Sequence, residues 1–75
     1  MNADKIEDVM SEWLGEGYRI VEDNGELSPV INWVDWIEDP EDEDKEQVEV
    51  TFQDGSTRTF DKGVPMRQIW YENVD

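Results

Sequence analysis

The sequence contains no cysteine and no histidine among its 75 residues, and only six residues are Lys or Arg. Without cysteine the chain has no disulfide, no zinc ribbon and no thiol nucleophile. Without histidine it lacks the usual general base and the commonest metal ligand. No apolar run approaches the roughly 20 residues that a membrane-spanning helix needs. We therefore expect one soluble, cytoplasmic domain over residues 1–75 that has no cofactor or metal and is not an enzyme.

Acidic residues dominate the charge. Asp and Glu together number 21, which gives a formal net charge of −15 at pH 7. Nucleic acids and anionic lipids bind basic patches, so we expect neither a nucleic acid nor a membrane as a direct ligand. A basic protein surface is the natural partner, including the groove in which another protein holds nucleic acid. Both a monomer and a homodimer remain open, although the charge on each copy opposes self-association.

An N-terminal amphipathic helix is predicted over about residues 3–14. Its apolar residues recur at the spacing of one helical face: Ile6, Val9, Met10, Trp13 and Leu14. Gly15 follows as a natural helix end. This pattern predicts that Trp13 is buried against a sheet.

Short strands are predicted over about residues 18–22, 30–37, 47–53, 56–60 and 68–72. Residues 29–37 fit a helix through their apolar spacing, but they are dense in Val, Ile and Trp, which favour strands, and we choose strand. In a strand, Trp33 or Trp36 must face outward, because an odd number of positions separates them. The predicted fold class is α+β, with the helix packed on a bent antiparallel sheet of four or five strands.

The C-terminal half carries a resemblance at the level of the fold. The stretch VEVTFQDGSTRTF, a turn over residues 62–65 and a closing strand resemble the second half of a small SH3-like barrel. This implies a partial barrel and nothing about function. The turn at Asp54-Gly55 leaves two registers open: a two-residue turn places Thr57 and Thr59 beside the core strand, whereas a three-residue loop returns Phe60 to the face of Val48.

The segment over residues 38–46 holds seven acidic residues in nine, and we predict a loop there. It has no Gly for a calcium-binding loop of the EF-hand type, so no metal site is expected. Extended backbone places side chains of the same face about 6.6–7 Å apart, which is close to the phosphate spacing along one nucleic-acid strand. We predict a partner-binding surface with Trp33 and Trp36 as apolar anchors and an acidic track of Glu38, Asp39, Glu41, Asp42, Glu43, Asp44, Glu46 and Glu49.

The stretches INWVDW and IEDPEDEDKE, in a short and strongly acidic chain, are similar to small phage anti-defence proteins. That class includes anti-CRISPR and anti-restriction proteins that act as DNA mimics. The resemblance implies a non-catalytic inhibitor that occupies the basic groove of a CRISPR effector or restriction nuclease in the host cell. The alternative is a small structural or adaptor domain from a salt-adapted organism or virus, in which the charge serves solubility.

Overall fold

The fold is an antiparallel β-sheet of six strands, seen in a computed structural model that describes residues 5–73. In chain order the strands are β1 (Glu7–Met10), β2 (Tyr18–Val21), β3 (Leu27–Asp39), β4 (Asp42–Phe52), β5 (Thr57–Asp61) and β6 (Pro65–Trp70). They lie side by side in the order β1-β6-β2-β3-β4-β5. Single-turn 3-10 helices follow β1 and β6, at Ser11–Trp13 and Tyr71–Asn73. Strand makes up 62% of the described residues and none of them forms an α-helix, so the predicted α+β class is wrong.

The N-terminal segment is a strand where the sequence predicted an amphipathic helix. β1 pairs with β6, and the chain then makes only a single 3-10 turn at Ser11–Trp13. Residues 3 and 4 of the predicted helix lie outside the described residues. The strand alternation leaves Met10 exposed and packs Val9 against the core. A helix of about a dozen residues is marginal by itself in water, so the backbone hydrogen bonds offered by the edge of β6 outweigh helical periodicity.

A buried serine joins the two edge strands of the sheet. The Ser11 Oγ donates a hydrogen bond to the Asp61 carbonyl at 2.6 Å and accepts one from the Val64 N–H at 3.3 Å. The Ser11 N–H also donates to the Val64 carbonyl at 2.9 Å. Because Asp61 ends β5 and Ser11 follows β1, the bond to the Asp61 carbonyl links the opposite edges of the sheet, which coils on itself. The two bonds to Val64 continue the pairing of β1 with β6.

Replacing Ser11 with alanine is expected to destabilise the fold by about 1–3 kcal/mol, because the Asp61 carbonyl and the Val64 N–H each lose the hydrogen bond that the buried Ser11 hydroxyl makes. Urea unfolding followed by tryptophan fluorescence measures the loss. Ser56→Ala is the matched control, since the Ser56 hydroxyl bonds Asp54 at the exposed surface and its loss should matter little. Equal stabilities of the two variants would show that Ser11 does not hold the edges together.

The core comprises side chains from one face of the coiled sheet. A bulge between Ile31 and Trp33 bends β3, so that its first part pairs with β2 and its second part with β4. The segment over residues 29–37 is thus wholly strand. Its bend allows the two halves of the sheet to enclose one buried cluster of Leu14, Ile20, Ile31, Val48, Val50 and Phe52.

The turn between β4 and β5 takes the longer of the two forms that the sequence left open. Phe52 donates its N–H to the Ser56 carbonyl at 2.8 Å, and Gly55 has a φ of 89°, the left-handed conformation that glycine tolerates best. Val48 therefore lies opposite Phe60, and the Phe60 ring packs against the core. Burial of this ring accounts for the longer loop, although Asp-Gly alone favours the shorter one.

The predicted acidic loop is wrong, because residues 38–46 form the end of a long β-hairpin. β3 runs to Asp39 and β4 begins at Asp42, so only Pro40 and Glu41 lie between the strands. Cross-strand apolar pairs near the sheet, Val34 with Val50 and Trp36 with Val48, set a register that continues to Glu38 and Glu46, and an irregularity between Glu38 and Asp39 then shifts it, so that Asp39 pairs with Asp42. The strand pairing at the base of the hairpin therefore extends into the acidic run and outweighs the repulsion between like charges from which the sequence pattern predicted a loop.

Candidate protein-binding surface

The acidic hairpin, defined here as residues 33–49, extends past the strands that flank it. Pairing with β2 ends at Val30, and a last hydrogen bond joins the Gly17 N–H to the Ile31 carbonyl at 2.9 Å. On the other side, β5 pairs with β4 only as far as Gln47. The described part of the molecule measures 41 × 23 × 19 Å, an elongated shape. The hairpin end is therefore accessible to a partner from both faces.

Two aspartates shape the tip of the acidic hairpin. The Asp39 Oδ1 accepts a hydrogen bond from the Glu41 N–H at 2.9 Å. The Asp42 Oδ1 accepts one from the Asp44 N–H at 3.0 Å. Such Asx turns satisfy backbone donors that have no strand partner at a hairpin end. Carboxylates of the acidic run thus stabilise the tip as well as charging it.

The hairpin register divides its side chains between two faces. The inner face continues the core side of the sheet, with Trp36 opposite Val48 and Glu38 opposite Glu46. The outer face holds the intervening residues of both strands: Trp33, Asp35, Ile37, Gln47, Glu49 and Thr51. Both tryptophans are more than half exposed, Trp33 at 55% and Trp36 at 52%. The sequence required at least one of them to face outward, and in the structure both are accessible on opposite faces.

A cluster of aromatic and charged side chains lies on the inner face. The ring of Trp13 meets that of Trp36 edge to face, with centroids 6.2 Å apart and planes at 83°. The Lys62 ammonium lies 5.2 Å from the centroid of the Trp36 ring and 2.7 Å from the Glu46 Oε2. The Glu12 Oε2 accepts a hydrogen bond from the Gly63 N–H at 2.7 Å. We call Trp13, Trp36, Glu46 and Lys62 the tryptophan–lysine cluster.

Hydrogen bonds and neighbouring charges shift the pKa of Lys62 and that of Glu12 beside the cluster. A hydrogen bond to Glu46 and the charge of that carboxylate raise the pKa of Lys62 above its ordinary value, with a smaller contribution from Glu12. The pKa of Glu12 is lowered by its own backbone N–H and by that of Gly63, with help from Lys62. Both shifts favour the charged forms, so Lys62 remains a cation and Glu12 an anion across the neutral range.

The outer face extends from the hairpin onto β5, which pairs with β4. Glu49 lies between Asp35 of β3 and Thr59 of β5, and Gln47 lies between Ile37 and Asp61. The Gln47 amide donates a hydrogen bond to the Asp61 Oδ1 at 3.3 Å. This face therefore combines acidic groups with one exposed indole, that of Trp33.

The structure places every sequence-predicted site residue on the acidic hairpin but separates them between its surfaces. Trp33 and Glu49 lie on the outer face, while Trp36 lies on the inner face with Glu38 and Glu46. The remaining members are at the tip: Asp39, Glu41, Asp42, Glu43 and Asp44. A flat partner can cover one face and the tip, but not both tryptophans at once.

Sequence reasoning missed two members of the tryptophan–lysine cluster. Trp13 was predicted to be buried, yet it is 66% exposed, because the 3-10 turn after β1 carries it outward beside Trp36. Lys62 had no assigned role beyond its place in a turn. Neither residue is near the hairpin in the sequence, so only the coiling of the sheet brings them to Trp36 and Glu46.

Most acidic side chains of the described residues have no cationic partner. Between residues 5 and 73 there are two ion pairs, Arg58 with Glu22 and Lys62 with Glu46. The hairpin thus keeps nearly all of its negative charge available. Within the same range, no three acidic side chains converge in a way that could hold a metal ion.

Comparisons with known proteins give this chain no relatives. No protein-family model, no curated protein and no solved structure matches it, so the likeness to an SH3-like barrel gains no support from a structural neighbour. Across residues 5–73, no helix has the length and apolar character needed to cross a bilayer.

Proposed function

We propose that this chain is a non-catalytic inhibitor that binds a basic nucleic-acid-binding groove by mimicking DNA. The target is a host-defence complex, either a CRISPR effector or a restriction nuclease, in the cytoplasm of the host cell. The acidic hairpin enters the groove and excludes the nucleic acid. The observation that carries the proposal is that the densest acidic run of the sequence forms the end of a paired, projecting hairpin.

A paired hairpin supports mimicry better than a loop would. Its cross-strand pairing orders the backbone at Glu38, Asp39, Asp42 and Glu46, so the main chain there loses less conformational freedom on binding than a loop would. Neighbouring strands lie about 4.8 Å apart, and side chains on one face of a strand lie about 6.6–7 Å apart, which is close to the phosphate spacing along one nucleic-acid strand. A basic groove would release its own counterions on contact and draw the hairpin in at a high association rate.

Exposed indoles on the hairpin supply the apolar part of the interface. Protein interfaces concentrate their binding energy in a few aromatic or Arg anchors surrounded by polar residues. Trp33 on the outer face and Trp36 on the inner face both stand next to acidic residues, and each is exposed by about half. Either face therefore offers an anchor within a charged rim, which distinguishes the hairpin from an acidic surface that serves solubility alone.

A charge-reversal variant tests the proposal. Glu38, Glu41, Glu43 and Glu49 carry no side-chain hydrogen bond that the hairpin depends on, so all four can be changed to Lys together. Displacement of a labelled DNA duplex from purified CRISPR effectors and restriction nucleases, measured by fluorescence anisotropy, reports groove occupancy. The wild-type chain should displace the duplex, and the reversed hairpin should lose at least about 100-fold in affinity.

The matched control reverses four exposed acids away from the hairpin: Glu16, Asp23, Glu26 and Glu72. It changes the net charge by the same amount, so a loss below about tenfold is expected from weaker long-range steering alone. Equal losses in both variants would refute a role for the hairpin. A wild-type chain that displaces no duplex and folds only in molar salt would instead favour the salt-adapted structural domain.

A further inference from the structure

The tryptophan–lysine cluster has the composition of a site for a cationic side chain. An indole face attracts a cation through its quadrupole, and a carboxylate next to it supplies a charged hydrogen-bond acceptor. Trp36 and Glu46 provide these two groups on facing strands, and Trp13 adds a second indole at a right angle. The three side chains form an exposed corner at the base of the hairpin end.

The protein's own Lys62 shows that a cation fits this corner. Its ammonium lies over the Trp36 ring at 5.2 Å and bonds Glu46 at 2.7 Å. Lys62 enters from the turn between β5 and β6, and its side chain remains 42% exposed. The interaction is therefore open to exchange with solvent and with a competing cation, since exposed ion pairs are weak.

An arginine is better suited to this corner than a lysine. A guanidinium is planar, so it stacks on an indole while donating two parallel hydrogen bonds to a carboxylate. It is also less strongly hydrated than an ammonium, which lowers the cost of removing it from water. A shallow surface depression of about 180 Å³ is lined by Trp36 and Glu46 together with Ile37 and Glu38. There is thus space beside the cluster for a larger cation, with carboxylates at its edge.

We propose that Trp13, Trp36 and Glu46 form a binding site for an arginine side chain of the partner, and that Lys62 occupies this site in the free protein. This inference rests on the proposed function, since it requires a basic partner. It also assigns the inner face of the hairpin as the surface that contacts the partner. When the partner binds, its guanidinium stacks on Trp36 and bonds Glu46, while the Lys62 ammonium moves into solvent.

Titration with short basic peptides tests the site without a known partner. Hexa-arginine and hexalysine are added at fixed low salt to the ¹⁵N-labelled protein, and the four tryptophan indole N–H signals are followed by NMR. Hexa-arginine should shift the Trp36 and Trp13 signals and bind more tightly than hexalysine. Trp36→Leu and Glu46→Gln should each weaken hexa-arginine binding about fivefold, whereas Lys62→Met should strengthen it about fivefold.

Matched controls separate the site from bulk charge. Lys5→Met removes the same charge as Lys62→Met from a residue at the Trp70 end of the molecule, and Glu16→Gln neutralises an exposed carboxylate outside the hairpin. Each control should change hexa-arginine affinity by less than about twofold. Because Lys62→Met is expected to increase hexa-arginine affinity, this variant still tests the site if the Trp36→Leu variant does not fold.

The possible results distinguish this site from the proposed function. Hexa-arginine binding that Trp36→Leu and Lys62→Met leave unchanged would overturn the site, while the acidic hairpin could still bind basic grooves. Equal effects of Trp36→Leu on both peptides would overturn the choice of arginine over lysine. Absence of binding by either peptide at low salt would overturn both the site and the proposed function.

Discussion

Replacing Gly17 with alanine is expected to cost about 2–5 kcal/mol of folding free energy, a large part of the stability of so small a domain. Gly17 has a φ of 84°, a left-handed conformation that costs an L-residue about 1–2 kcal/mol. A Cβ at this position would also lie 2.5 Å from the Trp70 ring, far inside normal contact distance. Overpacking of this kind adds about 1–3 kcal/mol.

The backbone around Gly17 has little freedom to relieve that clash. The Gly17 N–H donates to the Ile31 carbonyl at 2.9 Å, and its own carbonyl accepts from the Tyr71 N–H at 3.0 Å. The Trp70 ring is held edge to face against Tyr18, with centroids 5.2 Å apart. A methyl group would therefore displace the ring from Tyr18 or break bonds that join β2 to its neighbours.

Gly25→Ala is the control for the conformational part of this effect. Gly25 has the same φ of 84°, but a Cβ there would have no atom within 4 Å. Gly25→Ala should lower the free energy of unfolding only by the backbone cost of about 1–2 kcal/mol. Urea unfolding of both variants measures the difference, and Trp70→Leu in the Gly17→Ala background should recover part of it. Equal losses in the two glycine variants would show that the Trp70 ring does not restrict this position.

Truncation of Phe52 to alanine is expected to cost about 3–5 kcal/mol, enough to unfold much of the population. Phe52 is 2% exposed and belongs to the buried cluster at the bend of β3, opposite Ile31. Removing its ring would leave a cavity where both halves of the sheet meet. Calorimetry or urea unfolding measures the loss, and Phe52→Leu should retain enough structure for measurement if the alanine variant is unfolded.

Trp33→Ala provides the contrast, because it deletes a larger ring from a residue that is 55% exposed. Its expected cost is below about 1 kcal/mol, as for most surface substitutions. This pair of variants separates residues that hold the fold from residues that are available to a partner. A Trp33→Ala loss as large as that of Phe52→Ala would mean that the outer-face indole is structural and not an anchor for binding.

Local signals in the sequence were sufficient to predict several strands but not to predict how the strands assemble. The alternation of Val48, Val50 and Phe52 with polar residues predicts a half-buried strand, and β4 places these three side chains in the core. The periodicity of residues 3–14 predicts a helix with equal clarity, yet the described part of that segment forms a strand and a 3-10 turn. Apolar residues spaced by three and four are also compatible with a short strand followed by a turn, and the edge of β6 decides between them.

The sequence by itself determined the charge, the absence of Cys and His chemistry, and the positions of the acidic run and of the tryptophans beside it. These properties depend on composition and order alone. Only the tertiary structure decided that the acidic run ends a hairpin, that Trp33 and Trp36 are both exposed, and that Trp13 and Lys62 join Trp36 and Glu46. The reason is that strand register and sheet coiling bring together residues far apart in the chain, and those contacts depend on backbone pairing that no local pattern encodes.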